Sequence, residues 1–97
     1  METSEDVIAI RVCILGRVQG VWYRAWTAEN AVALGLDGFV RNRKDGSVEA
    51  LFRGPKAQVE TMLTRCKDGP EMAQVTDIIR EEARGVVSQG FRKLPTV

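Results

Sequence analysis

The order in which hydrophobic periodicity changes along the chain, with glycine or proline near most of the changes, constrains the fold more than any other feature of the sequence. From Val7 to Leu15 it reads VIAIRVCIL. β-Branched residues are dense and Arg11 is the one polar side chain, so a largely buried central strand is expected. Gly16-Arg17-Val18-Gln19-Gly20-Val21 follows, and its two glycines favour a tight irregular loop over a continuing strand. From Tyr23 to Leu34 the residues Tyr23, Thr27, Ala31 and Leu34 recur along one helix face, and Gly35 supplies the C-terminal cap.

Leu36–Asn42 (LDGFVRN) and Ser47–Arg53 (SVEALFR) read as strands, and the Asp45-Gly46 pair between them supplies left-handed turn conformations, which predicts a hairpin. Gly54-Pro55 then breaks the strand, with Pro55 suited to the first position of a helix whose face is Val59, Met62, Leu63 and Cys66. That helix ends at Asp68-Gly69-Pro70. Val75–Glu81 is a further strand and Gly90–Leu94 a short last one. The order is βαββαβ with a short extra C-terminal strand. It implies an α+β fold, the ferredoxin-like sandwich, in which two helices cover one face of an antiparallel sheet. Right-handed crossovers make the first two strands parallel but not adjacent, so their C-terminal ends open on the same edge. A site is expected there, between the glycine loop, the start of the first helix and Arg41-Asn42.

A length of 97 residues suits one domain, expected over residues 7–95 after a disordered polar tail at 1–6. No apolar run approaches the ~20 residues of a membrane span. The acidic start lacks the features of a secretory signal, which points to the cytoplasm and reduced thiols. The absence of histidine removes imidazole bases, Ser-His and Cys-His pairs and histidine-ligated metals. Cys13 and Cys66 are far apart with no CxxC spacing, so no metal site is expected, and both read as small core residues. A net charge of +1 gives no global attraction for a polyanion. RNA binding on the sheet would need exposed aromatic residues in an RNP pattern, which Phe39 and Phe52 do not form.

The residues that carry chemistry lie in Gly16–Arg24, GRVQGVWYR. Glycines let successive N–H groups converge, and the opening N–H groups of the following helix point the same way with the positive end of its dipole. Such a pocket takes phosphate or carboxylate. Arg24, in the first helical turn, can curl over the same concavity and hold two anion oxygens. The loop is neither a Walker A sequence nor GxGxxG. Trp22, Tyr23 and Trp26 read as core or rim, Glu81 and Glu82 as solvated residues on opposite strand faces, and Asn42 by itself as a turn former.

Two segments together, GRVQGVWYR and GFVRNRKDGSVEALFRG (Gly38–Gly54), resemble the two signatures of the acylphosphatase family, with every fixed position filled. The resemblance implies a ferredoxin-like fold and hydrolysis of the carboxyl-phosphate bond of acyl phosphates, without cofactor. It makes Arg24 the phosphate-binding arginine and Asn42 the residue that positions the attacking water. Gly16 to Trp22 become the cradle, in which the backbone of Val18, Gln19, Gly20, Val21 and Trp22 holds phosphate, and Gly16 and Thr27 support it. GFRKLPTV at the C-terminus matches more loosely, as fold only.

Elementary chemistry agrees with that assignment. A carboxylate leaves an acyl phosphate without protonation, so a site can work by charge neutralisation and positioning, with neither histidine nor metal. The expected partner is a small-molecule acyl phosphate, with no nucleic acid or membrane, and the protein is expected to be a monomer because the sheet edge is short. The competing possibilities are a non-catalytic phosphate- or RNA-binding module of the same fold, and a related domain acting on carbamoyl phosphate in a maturation pathway, against which the absence of attached domains argues.

Overall fold

A computed structural model of the protein describes residues 6–97. Its elements follow in the order β1 (Val7–Arg17), α1 (Tyr23–Ala33), β2 (Asp37–Asn42), β3 (Val48–Pro55), α2 (Lys56–Cys66), β4 (Gln74–Glu82) and β5 (Phe91–Lys93). The sheet order is β4-β1-β3-β2-β5. All neighbours are antiparallel except β2 and β5, which pair in parallel with Val40 opposite Lys93. This is the ferredoxin-like sandwich. The tail expected over residues 1–6 lies, except for Asp6, outside the described residues; the Asp6 carbonyl accepts the Lys56 N–H at 2.9 Å.

Alternation decides what each strand buries. Ile10, Val12 and Ile14 of β1, Val40 of β2 and Val48, Ala50 and Phe52 of β3 face one way, and there they meet Tyr23 and Ala31 of α1 and Val59, Met62, Leu63 and Cys66 of α2 in a single core. Phe52 is fully buried and stacks on Phe91 of β5 at 5.6 Å. Both helical stripes therefore land where their spacing puts them.

The other face of the sheet is uncovered, which corrects the expectation for the first strand. β1 is an interior strand, between β4 and β3, but buried on one face only; Arg11 is exposed and Cys13 is half-buried outside the core. On that open face Glu49 is nonetheless buried, because three arginines close over it: Arg41 Nε donates at 2.8 Å, Arg43 Nη1 at 3.1 Å and Arg11 Nε lies at 3.6 Å. Burial pushes the Glu49 carboxyl up, but the hydrogen bonds and charges of Arg41 and Arg43 outweigh it and leave the group below its usual range.

Three further boundaries differ from expectation for identifiable reasons. β1 does not end at Leu15. It continues through a bulge at Leu15/Gly16 and pairs Gly16 with Val75 and Arg17 with Gln74. Gly16 sits at φ 120°, and a Cβ there would run into the Gln74 carbonyl, so only glycine carries the strand past β4. Pro55 closes β3 and caps α2 from outside instead of opening it. Of the two sheet edges, β5 is short but β4 runs for nine residues, guarded by the charges of Asp77, Arg80, Glu81 and Glu82.

Candidate active site

At the end of the sheet where β1 and β2 finish, residues 18–22 connect β1 to α1 and border a cavity of about 460 Å³. Its wall is built from Val18, Gln19, Gly20 and Trp22 of the loop, Tyr23, Arg24 and Ala25 of the first turn of α1, Asn42 at the end of β2, and Lys93 of β5. No carboxylate is among them.

The loop is shaped by two left-handed residues. Gly20 sits at φ 74° with nothing near its missing side chain. Trp22 sits at φ 68°, ψ 20° and is the only non-glycine residue at positive φ among the described residues. A bulky side chain in that region costs about 1–2 kcal/mol, a strain typical of functional loops. Its indole is 80% exposed at the cavity rim, whereas the neighbouring Tyr23 is fully buried. The Tyr23 hydroxyl donates to the Cys66 carbonyl at 2.6 Å, which anchors the first turn of α1 to the end of α2. Burial also holds the Tyr23 phenol well above its ordinary value and pushes the Cys66 thiol up to about 12, so neither serves as a base or nucleophile at neutral pH.

Gln19 fastens the loop from the other side. Its side-chain amide donates to the Arg43 carbonyl at 2.7 Å and to the Ser47 carbonyl at 2.8 Å, tying the loop to the β2–β3 hairpin. The hairpin is set by Asp45, whose carboxylate accepts from both the N–H and the hydroxyl of Ser47 at 2.9 and 2.6 Å, with Gly46 at φ 96°. Glu49 holds Arg43 on the opposite side of the sheet, so the ion cluster and the cavity loop share a residue.

The consequence for chemistry lies in the backbone. Among the described residues, no protein acceptor takes the N–H of Gln19, Gly20, Val21, Trp22, Tyr23, Arg24 or Ala25; the first bond of α1 is Trp26 N–H to the Trp22 carbonyl at 3.0 Å. Seven consecutive donors at a helix N-terminus, with no acidic residue in the first turn, are a backbone arrangement whose chemistry suits an anion. Arg24 borders the same cavity, its Nη1 donating to the Leu94 carbonyl at 3.3 Å, and the Asn42 side-chain amide makes no hydrogen bond within the described residues. The structure thus brings Val18, Gln19, Gly20, Trp22, Arg24 and Asn42 to one cavity. Val21 turns its side chain into the core, and Gly16 and Thr27 do not border the cavity; Gly16 is exposed near the end of β1, and Thr27 is fully buried, with its hydroxyl unpartnered among the described residues.

Lys93 is the one polar side chain of the wall that the motifs do not contain. The clue was its place two residues after the apolar Phe91, because Phe91 packs in the core and the pleat brings Lys93 back to the same face.

The family model described as acylphosphatase matches residues 10–93. An acylphosphatase of Rhizorhabdus wittichii is 55% identical over 92 residues, which span 95% of this chain and 93% of its own. Among solved structures, the acylphosphatase of Bacillus subtilis superposes with a TM-score of 0.85 at 34% identity, over 90% of this chain and 98% of its own. That of Coxiella burnetii gives 0.88 at 28% identity, over 96% and 100%. A small α+β hydrolase scaffold with an amide nest is thereby placed: the chain belongs to the acylphosphatase family.

Proposed function

We propose that this protein is an acylphosphatase that splits the carboxyl-phosphate bond of acyl phosphates, giving a carboxylate and inorganic phosphate. The observation that carries this is the run of seven N–H groups, Gln19 to Ala25, that find no protein acceptor among the described residues, in a loop and helical turn that border a cavity with Arg24 and Asn42 on its wall.

The phosphoryl group sits in the nest, where the loop amides of residues 18–22 and the α1 dipole meet its oxygens, and the Arg24 guanidinium holds two of them. These donors are fixed before substrate arrives: Gln19 pins the loop, and the Leu94 carbonyl steadies Arg24. Preorganised donors stabilise the charge spread over the equatorial oxygens in phosphoryl transfer. The Asn42 amide, free of other partners among the described residues, orients a water for in-line attack on phosphorus. The P–O bond to the acyl group breaks, and its electron pair leaves on the carboxylate, which needs no proton. A neutral amide is a poor base, so the water's proton passes to the phosphoryl group or to solvent. Gly16 and Thr27 support the loop from behind. The domain comprises residues 7–95 and works as a cytoplasmic monomer without metal, cofactor or nucleic acid.

Hydrolysis of acetyl phosphate in the presence of EDTA tests this. Wild type is expected to be active, and Arg24→Ala and Asn42→Ala to lose about 10²–10³-fold in kcat/KM or more while keeping the wild-type circular dichroism spectrum. A wild type inert towards acyl phosphates refutes the assignment. A pH-rate profile with an enzyme base titrating near neutrality refutes the proton route.

A further inference from the structure

Among the described residues, two cations border the cavity and no carboxylate does. Arg17 and Arg92, unpaired among the described residues, do not border the cavity, and five other arginines of the strands and the hairpin, Arg11, Arg41, Arg43, Arg53 and Arg80, each stand within 4.0 Å of an acidic partner. Lys93, like Arg24, pairs with none among the described residues. Its backbone is held in place on both sides: β5 pairs it with Val40, the Leu94 N–H continues to the Val40 carbonyl at 2.9 Å, and the Leu94 carbonyl takes Arg24 Nη1 at 3.3 Å. Asn42 is two residues beyond Val40 on the adjacent strand, so Lys93 and Asn42 rise from the same face of the sheet as diagonal neighbours.

We propose that Lys93 is a second side-chain ligand of the phosphoryl group. The inference rests on the acylphosphatase reading of this cavity and goes beyond its motifs. A phosphoryl group carries close to two negative charges at neutral pH, and Arg24 offsets one. The ammonium of Lys93 offsets the other. The side from which it acts follows from the in-line geometry. Water attacks from the Asn42 side and the acyl group departs from the opposite one, so a cation beside Asn42 meets phosphoryl oxygens and not the acyl chain. Lys93 therefore contributes equally to every acyl phosphate and to the inorganic phosphate product.

Calorimetric titration with inorganic phosphate at low ionic strength tests this without turnover. Lys93→Met is expected to weaken phosphate binding about tenfold, Lys93→Arg to stay within about threefold of wild type, and the gap to narrow as salt is added, because an exposed cation is screened. Lys93→Met should also lower kcat/KM by the same factor for acetyl phosphate and benzoyl phosphate. Wild-type phosphate affinity in Lys93→Met overturns the inference, as does a loss in Lys93→Arg equal to that in Lys93→Met, or a loss confined to one acyl group. If Arg24→Ala abolishes phosphate binding while Lys93→Met does not, the cradle stands and only the role of Lys93 falls. A wild type that binds no phosphate removes both.

Discussion

The fold contains two strand-to-helix junctions, and they differ. From β3 to α2 the chain turns in place: Pro55 ends the strand, Lys56 begins the helix, and the Lys56 N–H is taken by the Asp6 carbonyl. From β1 to α1 five residues intervene, two of them in the left-handed region, and seven N–H groups are left without protein acceptors among the described residues. Neither helix has a side-chain N-cap or an acidic first turn. The same supersecondary unit thus occurs once as a direct junction and once, in the function proposed above, as an anion receptor. The difference is a short strained loop held by Gln19 and Tyr23. Unpaired donors and a tryptophan at positive φ cost stability that a direct junction keeps, and a phosphoryl anion is what would satisfy those donors.

Substitutions can break this comparison, beginning with the largest effect. Gly16→Val should destabilise the protein by about 3–5 kcal/mol in urea unfolding, because a side chain there meets the β4 backbone at a φ that resists it. Gly20→Ala, at a similarly positive φ but in open space, should cost only about 1 kcal/mol while still weakening phosphate binding. Equal costs would mean that the bulge and the loop are not separate devices. Glu49→Gln should cost about 2 kcal/mol at neutral pH, since it loosens the arginines of the hairpin that anchors Gln19. Its pH dependence has a definite sign. The Glu49 carboxyl is held below its usual range in the folded state, so its contribution is full above the unfolded pKa and is lost as pH falls through the folded one. The gap between wild type and Glu49→Gln should therefore close under acid; a constant gap would show that charge is not the cause. Pro55→Ala is the smallest change, about 0.5–1 kcal/mol through the unfolded chain, with acyl phosphate hydrolysis unchanged. A loss of activity there would mean that the two junctions are coupled.

Local chemistry made much of this legible. The stripes Tyr23-Thr27-Ala31 and Val59-Met62-Leu63-Cys66 are both buried as their spacing requires, and the Asp45-Gly46 pair makes its turn. What escaped the sequence depends on distant partners. Composition could not show that β1 has one open face, although Arg11 within VIAIRVCIL was the clue. The bulge at Gly16 exists because of Gln74 and Thr76, nearly sixty residues away. Arg24 and Asn42 could be singled out because they sit in sequence signatures, whereas Lys93 lies in a three-residue strand whose place is set only by pairing with β2.

The most direct test is a phosphate titration followed in ¹⁵N–¹H correlation spectra of the wild-type protein. The amides of Gln19 to Ala25 should shift together and saturate at one affinity, while those opening α2, from Lys56 to Val59, stay still. Shifts spread equally over both junctions, or none at the first in a folded protein, would contradict the claim that the β1–α1 loop is the phosphoryl site.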